Sequence, residues 1–463
     1  MKKIETFKRL ILLGISSIIF LVQIMIYRYY WFDYYSYWVR EYLEFWKNGH
    51  TLMICLYGIL LFFFTSMYGG FKIGFFKNWE VIFSQIFSTL IVNTVTYVQI
   101  SLMCLRLISG AGLATYLRMT FLQIASEIVL VLLAGLLYRK LFPPRKMILI
   151  HGERPIEDIL HKFATRKDKY NIVKCINVSA GYDALCKEIL SGYDAVVIWD
   201  IGVEERNKLL KFCYGNSIRI YIMPKITDVI LTGSQQLHLF DTPILLTREY
   251  ELSMEQRFFK RFIDLFCAIV LCIITSPIML ITAIIIKLYD GGPILYKQVR
   301  CTRDMKEFWI LKFRSMRVDA EKDGVARLAS KKDNRITPIG KFIRKVRIDE
   351  LPQLFNIIKG DMSFIGPRPE RPEIIAEYMK VMPEFAFRTK VKAGLAGYAQ
   401  VYGKYNTTPY DKLKLDLFYI EHYTVWLDIK LMLLTLKILF TPDSTEGVDI
   451  SQITAMKDGG KIE

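Results

Sequence analysis

Five stretches of this chain, residues 9–28, 51–68, 81–103, 119–138 and 262–286, are each apolar over about the twenty residues that a helix needs to cross a bilayer. A chain carrying them cannot close around one water-soluble core. With 463 residues, 52% of them hydrophobic, and a mean hydropathy of +0.26, several domains are expected, some of them in lipid.

The first four stretches predict a four-helix transmembrane domain over 1–142. Lys2, Lys3, Lys8 and Arg9 precede the first, and Arg139, Lys140, Arg145 and Lys146 follow the fourth, so the positive-inside rule puts both ends in the cytoplasm. The loop 28–50 carries Arg28, Arg40 and Lys47 beside Asp33, Glu41 and Glu44, which weakens the opposite charge bias. The first run lacks a small-residue cleavage site and reads as an uncleaved helix rather than a signal peptide.

Eight scattered cysteines form no Cys-x-x-Cys pair, which argues against zinc and against a disulfide framework. The formal charge of +17 fits anionic lipid or phosphorylated substrates, and no segment resembles a nucleic-acid-binding motif, so nucleic acid is excluded as a partner.

Over 143–250 short β-branched runs alternate with helical patterns. The strand candidates are Met147–Ile150, Ile172–Val178, Ala195–Trp199 and Ile218–Ile222, the rhythm of a Rossmann-like α/β domain. The segment His151-Gly152-Glu153-Arg154-Pro155 lacks the closely spaced glycines through which a pyrophosphate reaches a helix N-terminus, so the domain reads as a degenerate spacer or dimerisation unit. The charged segment 247–257 reads as a linker.

The last module, 251–463, holds the fifth apolar run, Phe262–Ile286, with Ser276-Pro277 near its middle. Proline there removes a backbone donor, so the segment about 258–288 either breaks and re-emerges on the face it entered or crosses as a kinked fifth helix. Lys260, Arg261 and Lys287 at both ends favour the re-entrant form, which also keeps the residues after the run in the cytoplasm.

Downstream, Lys312, Arg314 and Arg317 sit in Lys-Phe-Arg-Ser-Met-Arg, where alternation along an extended strand puts Lys312 and Arg314 on one side, for a diphosphate or for anionic headgroups. Asp349-Glu350 precede the apolar pattern Leu351, Leu354, Phe355 and Ile358, with Gly360 past its end, which predicts a short helix with Asp349 at its N-cap. That aspartate is either a cap or a nucleophile, and Arg344, Lys345 and Arg347 upstream strengthen the second reading. Gly-Pro-Arg-Pro at 366–369 stiffens the backbone around Arg368 and presents its guanidinium, or is simply a proline-rich connection. Gly394 and Gly397 allow tight turns where the backbone can approach a nucleotide, and 411–440 reads as an amphipathic segment at the membrane interface, with Asp416 a helix-face charge or a second acid of the site.

Taken in order, Lys-Arg-Phe-Ile-Asp-Leu at 260–265, the Ser-Pro break, Gly-Gly-Pro-Ile-Leu-Tyr-Lys-Gln, Lys-Phe-Arg-Ser-Met, Asp-Glu-Leu-Pro-Gln-Leu-Phe-Asn and Gly-Asp-Met-Ser-Phe-Ile-Gly-Pro-Arg-Pro resemble the bacterial sugar transferases, the monotopic phosphoglycosyl transferases. The resemblance covers about 258–440, and the N-terminal helices with the α/β domain look like the large members of that family. It implies transfer of a hexose-1-phosphate from a UDP-sugar to undecaprenyl phosphate at the cytoplasmic face of the bacterial inner membrane, with release of nucleoside monophosphate, for exopolysaccharide, capsule or O-antigen assembly. Asp349 matches the family nucleophile, and Glu350 its partner, with the acid pair implied to hold Mg²⁺. Lys312, Arg344, Arg368 and Asp416 match active-site positions, and Ser276-Pro277 the re-entrant break. Ala393, Ala396 and Tyr402 depart from the family pattern, which bears on sugar or nucleotide preference.

The fold expected is therefore membrane α plus α/β, with a degenerate Rossmann-like middle and an α-rich catalytic domain carrying interfacial helices, the larger domains offering surfaces for a homodimer. A non-catalytic membrane scaffold of polysaccharide assembly is the alternative. An ordinary glycosyltransferase is disfavoured because no Asp-x-Asp occurs in the chain.

Overall fold

The computed structural model describes residues 5–36, 39, 47–104, 110–247, 252–318, 335–403 and 407–439. Lys2, Lys3, Arg40, Glu41, Glu44 and positions 248–251 of the expected linker lie outside them. The chain divides into two units, Met1–Met223 and Pro224–Glu463.

The first unit opens with four long apolar helices, α1 (Lys8–Tyr30), α2 (Lys47–Tyr68), α3 (Asn78–Met103) and α4 (Ala111–Leu141). Each is long and apolar enough to cross a membrane. Apolar residues fill part of the interior, but the exterior departs from the rule for water-soluble bundles. Leu10, Leu21, Phe62, Phe121 and Leu133 point outward and are exposed, whereas Gln23, Asn93, Gln123 and Glu127 are buried. The buried groups bond to one another: Gln123 Nε2 donates to the Tyr57 hydroxyl (2.8 Å), which donates to Asn93 Oδ1 (2.9 Å), and Thr89 Oγ1 donates to Glu127. Polar side chains fastened between helices with leucine and phenylalanine outside are what an apolar solvent selects.

After α4 the same unit forms a four-stranded parallel sheet in the order β2-β1-β3-β4, from β1 (Arg145–His151), β2 (Tyr170–Asn177), β3 (Ala195–Trp199) and β4 (Arg219–Ile222). Between the strands lie α5 (Glu157–Ala164), α6 (Tyr182–Ile189) and α7 (Val203–Gly215). Alternate residues of the central strands face opposite ways: Ile148, Ile150, Val196 and Ile198 pack with Leu185 and Leu209, while Met147, Leu149, Ala195 and Val197 pack with Ile159. Burial on both faces explains why β1 and β3 read as unbroken apolar runs. Where a nucleotide fold would leave a crevice, Gly152 lies so close to the backbone carbonyl of Asp200 that a Cβ would overlap it.

The second unit begins with α8 (Ile226–Thr232) and an exposed antiparallel hairpin, β5 (Gln235–Leu239) and β6 (Thr242–Leu246). Val229 of α8 joins the core of this unit beside Leu413 and Leu417. Then comes α9 (Met254–Asp290), 37 residues capped by Ser253, whose hydroxyl accepts from Gln256 N. It runs through Ser276-Pro277 without an interruption of helical backbone. Pro277 cannot donate to the carbonyl of Ile273, and the Ser276 hydroxyl donates to that carbonyl instead (2.8 Å).

The remaining elements are β7 (Leu295–Cys301) and β8 (Glu307–Phe313), paired antiparallel, α10 (Pro338–Lys345), α11 (Gln353–Lys359), β9 (Ser363–Ile365), α12 (Pro372–Val381), β10 (Gly394–Ala396), parallel to β9, and α13 (Tyr398–Tyr402). The expected single interfacial segment over 411–440 is two helices, α14 (Pro409–Glu421) and α15 (Val425–Leu439). The Thr424 hydroxyl accepts from Leu427 N and starts the second, and Asp416, Leu417, Tyr419 and Ile420 are buried in protein.

Candidate active site

The short helix after the acid pair starts later than its sequence pattern predicts. Arg347 adopts a left-handed backbone (φ +59°), residues Ile348–Glu350 wind as a 3-10 turn, and α11 begins only at Gln353 behind Pro352. Asp349 is thus not the helix cap. Pro352, which has no N–H to cap, is the residue that lets the chain turn from one helical geometry to the other.

That turn sets the two carboxylates in different surroundings. Glu350 accepts from Arg368 Nη2 (2.8 Å) and has Lys312 Nζ at 3.6 Å and Arg347 Nη1 at 3.8 Å. Asp349 is 8% exposed, and its Oδ1 is buried with no hydrogen-bond partner among the described residues. Burial pushes the Asp349 carboxyl up to about 6, the charge of Glu350 adds to this, and Lys312, Arg344 and Arg347 oppose it. Burial would raise Glu350 too, but Arg368, Lys312 and Arg347 outweigh it and hold that carboxyl far below the usual range. The Arg368 guanidinium is driven the other way, up, chiefly by Glu350, while burial lowers the Lys312 ammonium. One acid is thereby fixed as an anion and its neighbour kept basic and free.

Lys312 comes from β8, Arg344 from the end of α10, and Arg368 from the turn after β9. Arg314 does not join them. It lies just past β8, is 8% exposed, and its Nη1 donates to Asp290 Oδ2 (2.7 Å) and its Nε to the Pro293 carbonyl (2.8 Å). The one-sided row of cations expected from the alternation is therefore split, with Lys312 on the dyad and Arg314 on the end of α9. Asp416 is also one step removed. It is buried, its oxygen pairs with Arg388 at 2.8 Å, and burial raises its carboxyl despite Arg388 and Lys412.

Sequence reasoning passes over Arg300, Arg388, Glu370 and Lys412. Arg300 and Arg388 each lie 3.6 Å from Glu370, and Lys412 Nζ pairs with it too. The only local signal is Glu370, which directly succeeds Gly-Pro-Arg-Pro. At Gly394 and Gly397 the neighbour that approaches is the backbone of Gly366 in place of the expected nucleotide: a Cβ on Gly394 would overlap the Gly366 nitrogen, and one on Gly397 the Gly366 carbonyl.

The residues present fit a hard divalent cation. Asp349 and Glu350 are adjacent oxygen donors, one with an unpartnered buried oxygen, and no cluster of three or more His, Cys, Asp or Glu ligands occurs among the described residues. A pair of carboxylates completed by phosphate oxygens and water is how Mg²⁺ is commonly held.

The family model described as bacterial sugar transferase matches residues 255–442. A UDP-N-acetylgalactosamine-undecaprenyl-phosphate N-acetylgalactosaminephosphotransferase of Aeromonas hydrophila is 37% identical over 258 residues, 54% of this chain and 59% of that protein. A UDP-glucose:undecaprenyl-phosphate glucose-1-phosphate transferase of Escherichia coli (strain K12) is 32% identical over 233 residues, 49% of this chain and 50% of that protein. One of the same description from Caulobacter vibrioides is 37% identical over 190 residues, 40% of this chain and 71% of that protein. The chain spans about half the length of the first two relatives.

Proposed function

This chain belongs to the bacterial sugar transferase family, and from that premise we propose that it moves a hexose-1-phosphate from a UDP-sugar to undecaprenyl phosphate through a covalent bond to Asp349. The observation that carries the reading is the divided acid pair, Glu350 tied to Arg368 and Lys312 beside an Asp349 whose Oδ1 has no partner among the described residues and whose carboxyl is held near 6. Above that value Asp349 is ionised yet more basic than an ordinary aspartate, which suits a nucleophile.

In the first step an Asp349 oxygen attacks the phosphorus that bears the sugar. The bond from that phosphorus to the bridging oxygen breaks, and nucleoside monophosphate leaves with the electron pair. In the second, a phosphate oxygen of undecaprenyl phosphate attacks the same phosphorus and the Asp349 carboxylate departs. Lys312, Arg344 and Arg368 stabilise the charge on the transferring phosphoryl oxygens, and loss of one such group costs about 10²–10³ in turnover. Asp349 and Glu350 would hold Mg²⁺, and the chemistry it would supply is screening of the diphosphate charge.

The membrane reading has its own support. Four helices with hydrogen-bonded polar side chains buried between them and apolar exteriors read as a transmembrane domain, and the parallel sheet after them as a Rossmann-like domain without a nucleotide site. Both ends of α9 are fastened to neighbouring parts of one unit: Arg261 donates to the carbonyls of Ile357 and Ile358, while Asp290 takes Arg314, three residues from Leu311, whose N–H donates to Asn356. A straight helix of this length would span about 55 Å. A bend at Pro277 inside the bilayer returns the chain to the face it left, the cytoplasmic one by the charge bias, and the Ser276 hydroxyl keeps the freed carbonyl satisfied in lipid.

The test is product analysis. Purified full-length protein with undecaprenyl phosphate, Mg²⁺ and UDP-glucose, UDP-galactose or UDP-N-acetylgalactosamine should release UMP with at least one donor, and Asp349→Ala should release none. Release of UDP would make it an ordinary glycosyltransferase. No release from the wild type, with Asp349→Ala still supporting polysaccharide assembly in cells, would favour a scaffold.

A further inference from the structure

Between Pro367 and Pro369 the backbone has lost two of its three N–H donors, so this turn cannot be secured through its own amides. It is held by its carbonyls. Gly394 N donates to the Pro367 oxygen (2.9 Å), Arg388 Nη2 to the Arg368 oxygen (3.0 Å) and Arg300 Nη1 to the Pro369 oxygen (3.2 Å). The side chain of the middle residue leaves in another direction, to Glu350.

Two of the three grips are guanidinium groups that lie largely out of water. Arg388 is 3% exposed, and such a group is tolerated only with its counter-charges in place. Those are Asp416 at 2.8 Å and Glu370 at 3.6 Å, and Glu370 in turn pairs with Arg300 and Lys412. The chain of contacts that links this cluster to the reaction is Asp416 to Arg388, Arg388 to the Arg368 backbone, and the Arg368 side chain to the acid pair.

We propose that Arg388, oriented by Asp416, is a positioning residue of the phosphosugar transfer: it fixes the carbonyl of Arg368 and thereby aims that guanidinium at Glu350 and at the transferring phosphate. Asp416 acts through Arg388 and does not itself meet substrate or metal. The planar fork suits the task, because Nη2 meets both the Arg368 carbonyl and Asp416 while Nη1 faces Glu370, a two-pronged arrangement that a lysine ammonium reproduces less well. The proposal rests on the phosphosugar-transfer reading for its catalytic consequence, while the geometric part is open to a measurement that needs no turnover.

The experiment has two arms on full-length protein in lipid nanodiscs. In the first, Glu350 is labelled with a water-soluble carbodiimide and glycinamide without substrate, and the rate is read by peptide mass spectrometry. Arg388→Gln should speed labelling of Glu350 about tenfold, the scale of one lost charge-assisted hydrogen bond, because Arg368 is no longer held over it. Asp416→Asn should act in the same direction and less. In the second arm, UMP release is measured for Arg388→Gln, Arg368→Gln and the double variant. Arg388→Gln should lose about tenfold in kcat, and the double variant should be no slower than Arg368→Gln alone, since a residue that works through Arg368 has nothing left to position.

Unchanged Glu350 labelling in folded Arg388→Gln overturns the proposal, as does a double variant whose loss is the product of the two single losses. If Arg388→Gln does not fold, Arg388→Lys and Asp416→Asn carry both arms, with intermediate effects expected and wild-type behaviour in both overturning it. A wild type that releases no UMP refutes the transfer reading, and the labelling arm still decides the geometry.

Discussion

The Glu370 carboxyl is the anion on which the arginines behind the active site converge, so its removal has a calculable consequence. Burial alone would raise it from 4.5, but Lys412, Arg388 and Arg300 outweigh burial and hold it at about 2. Its side chain is 15% exposed, so little of this is lost to solvent. A carboxyl depressed from 4.5 to about 2 contributes at most about 3 kcal/mol to stability. Because the folded value is the lower one, the contribution is complete above the unfolded value of 4.5 and fades as the pH falls through the folded value of about 2, with roughly half left near pH 3. Glu370→Gln should therefore lower the unfolding free energy by about 2–3 kcal/mol at neutral pH and by progressively less in acid. Denaturant unfolding of both proteins in nanodiscs, from pH 7 down to about 3, reads the difference. A gap that stays constant over that range, or its absence at neutral pH, would refute the account of this cluster.

Two further outcomes concern close contacts elsewhere in the same unit. Lys260 Nζ is buried against Asp428 Oδ2 (2.7 Å) and the Ile365 carbonyl (2.9 Å), with the Tyr419 hydroxyl donating to Asp428 Oδ1 (2.7 Å). Lys260→Met should destabilise by about 3–5 kcal/mol, and adding Asp428→Leu should restore most of it, as thermal unfolding in nanodiscs would show. Gly394→Ala sets a Cβ into the Gly366 backbone, so the turn bearing Arg368 must shift; turnover should fall on the order of 10²-fold, with UDP release still absent in the product assay.

Much of the outer frame can be read from the sequence because it depends on periodicity. Lipid-length apolar runs mark α1 to α4 and α9, and continuous β-branched runs mark β1 and β3, since each element's own composition reflects which faces are covered. The acid pair and the Gly-Pro-Arg-Pro turn are also legible, as local clusters of uncommon residues. Pattern alone puts Asp349 at a helix cap because the apolar spacing from Leu351 begins before the helix does, and the left-handed Arg347 and the 3-10 turn that delay the helix have no apolar period to mark them. Arg388 leaves no trace in its neighbourhood. Its partners are the carbonyl at 368 and the carboxylates at 370 and 416, and a pairing across such separations has no period to reveal it. The same holds for Gly394 and Gly397, whose spacing is visible but whose reason is the backbone of Gly366.

The central claim is that one carboxyl, Asp349, carries the sugar phosphate between donor and acceptor. The direct measurement is to mix the full-length protein with UDP-sugar and Mg²⁺ in the absence of undecaprenyl phosphate, quench rapidly, and map the adduct by peptide mass spectrometry. The account predicts one hexose- or N-acetylhexosamine-phosphate on the peptide containing Asp349, lost on addition of undecaprenyl phosphate and absent from Asp349→Asn. An adduct on any other residue, or UMP release dependent on undecaprenyl phosphate with no adduct at all, would contradict it.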